Sequence, residues 1–428
     1  MTNPKNNTLA LFGGPKSIID NFITYNTMGN EEVDAAKAVI ESGVLSKYIG
    51  AWHPDFLGGP KVKEFEADCS KFFGVKHAIT VNSWTSGLVA AIGAIGINPG
   101  DEVITTPWTM SASATAILHW NGIPIFADID RDTFNLDLLS VERNITEYTK
   151  AIVSVDIFGM PSAMDDLIKL AKKYNLKIIS DTAQAPCAKY KGKYAGTMVD
   201  IGGYSLNYHK HIHTGEGGVL VTNDDELAER MQLIRNHAEV VVDGKGSNYL
   251  TNMVGHNFRL GEIECAIGIE QLKKLPNLVK NRQTLANALS VELSTLPSLQ
   301  TPVIPEDRDH VYYIYPLILN YEEIGVTRDR ICDALEAEGI PIIRRYQNIH
   351  LLPMYQQKIA FGNQGFPWNS EFCKRDIDYS KGICPVAEEL QDNSFFGIGM
   401  CVYDLDLNDI SMIAKAFKKV WSNLDALK

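Results

Sequence analysis

Two residues open the chemical reading of this chain, a lysine and an aspartate. Lys210 lies in Ser205-Leu206-Asn207-Tyr208-His209-Lys210-His211-Ile212-His213-Thr214, a polar run closed by Gly215-Glu216-Gly217-Gly218 and followed by the apolar pattern Val219-Leu220-Val221-Thr222. That order predicts an irregular turn held against a sheet. A lysine so placed is partly desolvated, which favours the neutral amine that attacks carbonyl groups. Asp181 ends the short buried-strand pattern Lys177-Ile178-Ile179-Ser180, and ligands of α/β sheets bind at the carboxyl ends of strands. A strand-end acid followed by a loop lysine after Ser205 matches the needs of pyridoxal phosphate: an amine for its aldehyde and a carboxylate for its pyridinium nitrogen. Spacing alone does not single out that cofactor.

An anion site is encoded nearer the start. His77 to Val81 reads as a strand, Asn82-Ser83-Trp84-Thr85 as a turn, and Ser86 to Ile92 as a helix rich in small residues. Hydroxyls at such a helix start, beside free backbone N–H groups and the positive end of the dipole, suit a phosphate. They equally suit an ordinary helix cap. The alternating His209, His211 and His213 invite a metal reading, but no carboxylate or cysteine cluster accompanies them, so a structural or substrate-contacting role is expected and no metal.

Taken in order, Asp181-Thr182-Ala183-Gln184-Ala185, Gly196-Thr197, Asp200-Ile201-Gly202, Ser205, Lys210 and Gly215-Glu216-Gly217-Gly218 resemble the motif series of the DegT/DnrJ/EryC1/StrS sugar aminotransferases. The resemblance runs from about Gly13 to the C-terminal helix. It implies pyridoxal-phosphate fold type I, an α/β domain with a mainly parallel mixed sheet (1–275) and a smaller C-terminal α+β domain (276–428), assembled as a homodimer with shared active sites. It implies Lys210 as the residue that holds the cofactor and moves the proton, and Asp181 as the partner of the ring nitrogen. Ser83, Thr85, Ser86 and Ser205 would cradle the phosphate, and Gln184 would contact the ring oxygen region. Asn257, in Gly255-His256-Asn257-Phe258-Arg259, would reach the neighbouring subunit's phosphate. Trp84 stands where the family has a small residue, and Met110 where it has an aromatic one. Either Met110 touches the ring through sulfur, or Trp108 swings over it, or Trp108 is core. The segment Gly339 to Tyr346 corresponds to one that faces the sugar, so Arg344, Arg345, Tyr346 and His211 are candidate substrate contacts, the arginines for an anionic group.

The amino donor implied is L-glutamate or glutamine and the acceptor a keto or aldehyde sugar. Leu9 to Lys16 looks like the subgroup with inosose aminotransferases and the aminotransferase of 8-amino-octulosonate, an acidic sugar, whereas most of the family uses nucleotide-linked 4-keto or 3-keto sugars. A sugar dehydratase of the same fold would carry histidine in place of the lysine, yet counting back from Gly215-Glu216-Gly217-Gly218 lands on Lys210. A cofactor-binding regulator without turnover and a metal hydrolase built on the histidines are the rivals from other classes.

The elements that must position these groups follow from periodicity. Strand patterns at Glu102 to Thr106, Ile123 to Ala127, Ala151 to Asp156 and Lys177 to Ser180 alternate with helical ones, including Ala163 to Tyr174 and Asp225 to Asn236, which predicts βαβ crossovers. Asp128 and Asp130 are expected to be solvated turn acids, and Asp156 has no assigned role. After Lys274-Leu275-Pro276-Asn277 a long helical stretch begins, followed by a strand at Val311 to Tyr315 and a helix at Thr327 to Glu338. The 428 residues suffice for two or three domains, and a net charge of −12 argues against a nucleic-acid binder. Seven scattered cysteines without a Cys-x-x-Cys pair predict reduced thiols and a cytoplasmic setting, and the polar start, Met1 to Asn7, predicts no signal segment.

Overall fold

The computed structural model describes residues 8–428; the start, 1–7, and the expectation drawn from it lie outside the described residues. The main sheet is built from β1 (His77–Val81), β2 (Glu102–Thr105), β3 (Ile123–Phe126), β4 (Thr149–Val155) and β5 (Lys177–Asp181). After a small hairpin of β6 (Lys189–Tyr190) and β7 (Lys193–Tyr194) come β8 (Ile201–Ser205) and β9 (Gly218–Thr222). The seven strands lie in the order β1-β9-β8-β5-β4-β2-β3. Only β9 runs against the others, being antiparallel to both β1 and β8, so the sheet is mixed but mainly parallel.

This topology makes the site. Because β8 lies next to β5 and all strands except β9 point the same way, Asp181 at the end of β5 and Ser205 at the end of β8 emerge at one edge. The loop that turns β8 back into β9 crosses that edge, and it carries Lys210. Nearly every strand residue is buried, which follows from helices on both faces. The Trp84–Ala94 and Asp225–Arg235 helices pack on one face through Leu88, Ile92, Met231 and Ile234. The Met164–Tyr174 helix packs on the other through Met164, Leu167 and Ala171.

The smaller unit is a four-stranded antiparallel sheet of β10 (Leu299–Gln300), β11 (Ile314–Leu319), β12 (Ile342–Ile343) and β13 (Phe395–Gly399), ordered β10-β11-β13-β12. Leu335 and Phe417, from the Arg328–Ala337 and Leu407–Trp421 helices, fill its core. The division expected after residue 275 falls inside one helix, Glu262–Leu293, which continues through Pro276. Its first half, with Ile269, Leu272 and Leu275, belongs to the core beside the main sheet, and its second half, with Leu285, Leu289 and Leu293, belongs to the small one. Leu9 and Ile18 join that second core, so the start of the described chain packs on the small unit.

Two local expectations are corrected. The strand expected at Val311 to Tyr315 begins only at Ile314, because Tyr312 takes a left-handed conformation (φ 54°) and the backbone is pinned sideways. The Val311 and Tyr313 N–H groups donate to the carbonyls of Gly159 and Phe158 at 2.9 and 2.8 Å. Asp128 is not a solvated turn acid. It is buried and accepts from the Val386 and Ala387 N–H groups at 2.8 and 3.0 Å, capping the Pro385–Glu389 helix, a long-range use that strand-end position alone does not reveal. Asp130, by contrast, is exposed and folds its own turn through Thr133. No helix among the described residues is long and apolar enough to cross a membrane, and all seven cysteines are free thiols.

Candidate active site

A cavity of about 240 Å³ opens at the carboxyl edge of the main sheet, with Lys210 and Asp181 both in its wall. The lysine loop is irregular for identifiable reasons. Leu206 N–H closes onto Gly217 O at 2.9 Å and Thr214 N–H onto Leu206 O at 3.0 Å, while Gly215 (φ 86°) and Gly217 (φ 155°) supply turns that a side chain would strain. Within this closed loop Lys210 N–H bonds Asn207 O at 2.9 Å, and the side chain is 92% shielded from solvent, at 8% exposure. Burial brings the Lys210 amine down to about 8, with the Asp181 carboxylate pulling the other way. An appreciable neutral fraction at neutral pH is what a nucleophilic amine requires. The charged fraction rests over the Tyr313 ring, 4.2 Å from its centroid.

Asp181 is held from two sides. Trp84 Nε1–H donates to Oδ1 at 2.6 Å, Ser113 Oγ–H to Oδ2 at 2.7 Å, and Ala183 N–H to Oδ1 at 3.3 Å. Burial raises its pKa, and these donors, together with Lys210, oppose the rise. A buried carboxylate with this much support can remain anionic beside a cationic ring.

Ser83 is the cap of the Trp84–Ala94 helix, its Oγ accepting from Ser86 N–H at 3.1 Å. It also lines the cavity, as do Thr85 and Ser205, so the cap and anion readings meet in one residue. Ser86 stands behind, 2.9 Å from Ser83 Oγ, and does not line the cavity. Gln184 does, with Oε1 accepting from Phe158 N–H at 2.8 Å and Nε2 donating to Tyr346 Oη at 3.0 Å. A helix start with hydroxyls, a carboxylate and an amine of lowered pKa around one cavity fit pyridoxal phosphate.

The remaining candidates divide. Met110 lines the cavity but is 67% exposed, at its mouth. Trp108 is core: fully buried, it packs against Phe134, Phe395 and Tyr346, and so braces Tyr346 instead of swinging over the cavity. Tyr346 lines the cavity. His211 does not; it is buried, with Nε2 on Val311 O at 2.8 Å, and it fixes the lysine loop to the Tyr313 segment. Its neighbour His209 lines the cavity instead, pushed down to about 4 by burial and by Lys210, hence neutral. Asn257 is exposed, outside this chain's cavity, with its carbonyl beside Asn82. Arg344 and Arg345 also lie outside it. Arg344 is paired with Asp333 and Glu336 at 2.7 and 2.6 Å, and Arg345 with Asp329 at 2.6 Å, all acids of the Arg328–Ala337 helix.

Three cavity contributors carried no signal in the sequence pattern: Trp84 as a donor to Asp181, Tyr313 under the lysine, and Thr109, whose Oγ1 lies 3.1 Å from Ser113 Oγ. Trp84 and Tyr313 act across long sequence separations, whereas Thr109 acts through Ser113, four residues on. The break in strand pattern before Ile314 is the one local sign that could have pointed to Tyr313.

Comparison with known proteins agrees with this geometry. The profile of the DegT/DnrJ/EryC1/StrS aminotransferase family matches residues 28–385. The spore coat polysaccharide biosynthesis protein SpsC of Bacillus subtilis is 34% identical over 367 residues, 84% of this chain and 92% of its own length. A GDP-perosamine synthase of Caulobacter vibrioides is 36% identical over 298 residues, 69% of this chain and 79% of its own length. Among solved structures, the aminotransferase of Psychrobacter cryohalolentis superposes with a TM-score of 0.79 at 26% identity, covering 94% of this chain and all of that one.

Proposed function

The chain belongs to the DegT/DnrJ/EryC1/StrS aminotransferase family, and from that premise we propose that Lys210 and Asp181 serve the transfer of an amino group from L-glutamate, or glutamine, to the carbonyl carbon of a sugar. The observation that carries the assignment is the buried Lys210 amine, its pKa lowered to about 8, in the same cavity wall as the doubly held Asp181. Pyridoxal phosphate, the cofactor of this enzyme class, supplies an electron-withdrawing ring and an aldehyde to carry the amino group. Asp181 would hold the proton on the ring nitrogen through an anionic oxygen. Ser83, Thr85 and Ser205 would take the phosphate at the helix start. Gln184, tied to Phe158 N–H, would orient the ring oxygen. Lys210 Nζ would bind the aldehyde carbon and, once released, take a proton at the substrate carbon and return it. His209, neutral in the cavity wall, would offer a hydrogen bond without adding charge.

The acceptor is a keto sugar in this reading. Similarity to GDP-perosamine synthases favours a nucleotide-linked one, and similarity to SpsC favours a role in surface polysaccharide formation. The acidic 8-oxo-octulosonate alternative draws its support from the resemblance of Leu9 to Lys16 alone, since Arg344 and Arg345 are engaged elsewhere. Exposure of Asn257 beyond its own cavity supports a homodimer in which it serves the partner's phosphate. The test is borohydride reduction of the cofactor-loaded protein followed by peptide mapping, with keto sugars then screened against glutamate for release of 2-oxoglutarate. The reduced cofactor is expected on Lys210; its recovery on another lysine overturns the assignment.

A further inference from the structure

Trp84 is an unusual residue to find at the start of a phosphate-binding helix, and three observations say what it does there. Its indole is wedged between two backbones. A Cβ on Gly203 of β8 would lie 2.1 Å from Trp84 Cζ3, and one on Gly87 of its own helix 2.8 Å from Cε3, so both positions exclude a side chain while the ring is in place. Gly203 is the register partner of Asp181 across the β5–β8 pair, which delivers the indole to the strand end that carries the acid. From that slot Nε1–H reaches Asp181 Oδ1 at 2.6 Å.

We propose that Trp84 is a positioning residue for Asp181: its indole N–H, with the Ser113 hydroxyl on the opposite oxygen, fixes the carboxylate plane and reserves Asp181 as an acceptor facing the pyridine nitrogen of the cofactor. An indole N–H donates and never accepts. The oxygen it meets must therefore offer a lone pair, which a serine or histidine in the same place would not enforce, since either can exchange donor for acceptor. On Oδ2 the arrangement is completed by a relay, with Ser113 donating at 2.7 Å and Thr109 Oγ1 supporting Ser113 from 3.1 Å. Held by both oxygens, the carboxylate loses its rotation about the terminal torsion, and the two donors oppose the rise in pKa that burial imposes on it. Where the carboxylate of this fold is asked to keep a ring proton in place, Trp84 keeps the carboxylate ready to do so.

This inference rests on the aminotransferase reading, and its test separates the two. The parent protein, Trp84→Phe, and a protein carrying β-(3-benzothienyl)alanine at position 84, which keeps the bicyclic shape but has no N–H, are stripped of cofactor and titrated with pyridoxal phosphate labelled with ¹⁵N in the ring. Both altered proteins are expected to bind the cofactor about ten-fold more weakly and to lose the ring proton about one pH unit lower, one unit and ten-fold being the same free energy. The kcat of the glutamate half-reaction should fall with KM within about two-fold, as for an interaction felt at the ring and not at the substrate. Ser113→Ala should shift the ring titration in the same direction, which keeps the test open if Trp84→Phe folds poorly. Full recovery with benzothienylalanine would reduce Trp84 to packing and overturn the proposal, as would an unchanged ¹⁵N titration in all three variants. A parent protein that failed to link pyridoxal phosphate to Lys210 would sink the aminotransferase reading itself, and this inference with it.

Discussion

The Lys210 Nζ lies 4.2 Å from the centroid of the Tyr313 ring, and that contact joins the main and small sheets at the amine proposed to react. Lys210 sits on the β8–β9 loop of the main sheet, whereas Tyr313 immediately precedes β11 of the small one. The ring attracts only the protonated amine, so it restrains the fall in pKa that burial imposes. Tyr313→Phe, which keeps the ring, is expected to leave the pH dependence of cofactor capture by the stripped protein unchanged. Tyr313→Leu, which keeps the burial but not the quadrupole, should move its midpoint down by about half a unit, the equivalent of a weak cation–π contact. An equal response of the two variants, followed by stopped-flow absorbance, would show that the ring acts by bulk alone.

Lys210 also carries a stability cost in the cofactor-free protein. Its folded pKa is depressed from 10.5 to about 8, so between those values the unfolded chain binds more protons than the folded one. Stability therefore rises with pH across that window, and the cost is fully present below about pH 8. Lys210→Met should abolish transamination yet unfold at higher urea than the parent at pH 7, by about 2 to 3 kcal/mol. The difference should shrink steadily towards pH 10.5. A gap independent of pH would locate the effect in packing and not in the buried charge.

How much of this was readable in the chain follows from which interactions are local. Lys210, Ser205 and the glycine run share one loop, and Asp181 ends an obvious strand, so their order along the sequence already implied their convergence. The main-sheet alternation was equally visible, because buried parallel strands read as short apolar runs. Asp128 capping a helix at Val386, Trp84 reaching Asp181 and Tyr313 reaching Lys210 were hidden, since each joins segments with no shared periodicity. Pro276 is the instructive case. The loss of strand–helix alternation around it suggests a boundary, and the Glu262–Leu293 helix runs through that point, with apolar residues on its two halves committed to two different cores.

Sharing of sites between subunits is open to a complementation experiment. Asn257 is exposed and outside its own cavity, whereas Lys210 is inside. Mixing Lys210→Ala chains with Asn257→Ala chains should give hybrid dimers in which one site contains neither lesion. With random exchange, about half of the dimers would be hybrids, each with one intact site, so activity should recover to roughly a quarter of the parent's per site. Recovery is read from glutamate-dependent turnover after subunit exchange has been confirmed by mass-tagged chains. Absence of recovery despite exchange would confine Asn257 to its own subunit.

Arg344 and Arg345 supply the last prediction, because their chemistry and their placement pull in opposite directions. Two adjacent guanidinium groups after an apolar run would suit an anionic acceptor, through paired hydrogen bonds to a carboxylate or phosphate. In the folded chain Arg344 instead forms a fork with Glu336, its Nε and Nη2 at 2.8 and 2.6 Å from the two carboxylate oxygens, with Asp333 a second partner. Arg345 is 53% exposed and paired with Asp329. To reach a substrate, Arg344 would have to give up two acids, and removal of a substrate-binding arginine from a partly dry pocket costs about ten-fold to a hundred-fold in kcat/KM. Exposed ion pairs contribute about 0 to 1 kcal/mol to stability. Arg344→Ala and Arg345→Ala are therefore expected to leave kcat/KM for the acceptor within about two-fold of the parent, and to lower stability by no more than about 1 kcal/mol. Steady-state kinetics with the identified acceptor, alongside the glutamate half-reaction, decide it. A loss of ten-fold or more confined to the acceptor would mean that one of the two pairs opens when substrate binds, and would restore an anionic sugar as the favoured acceptor.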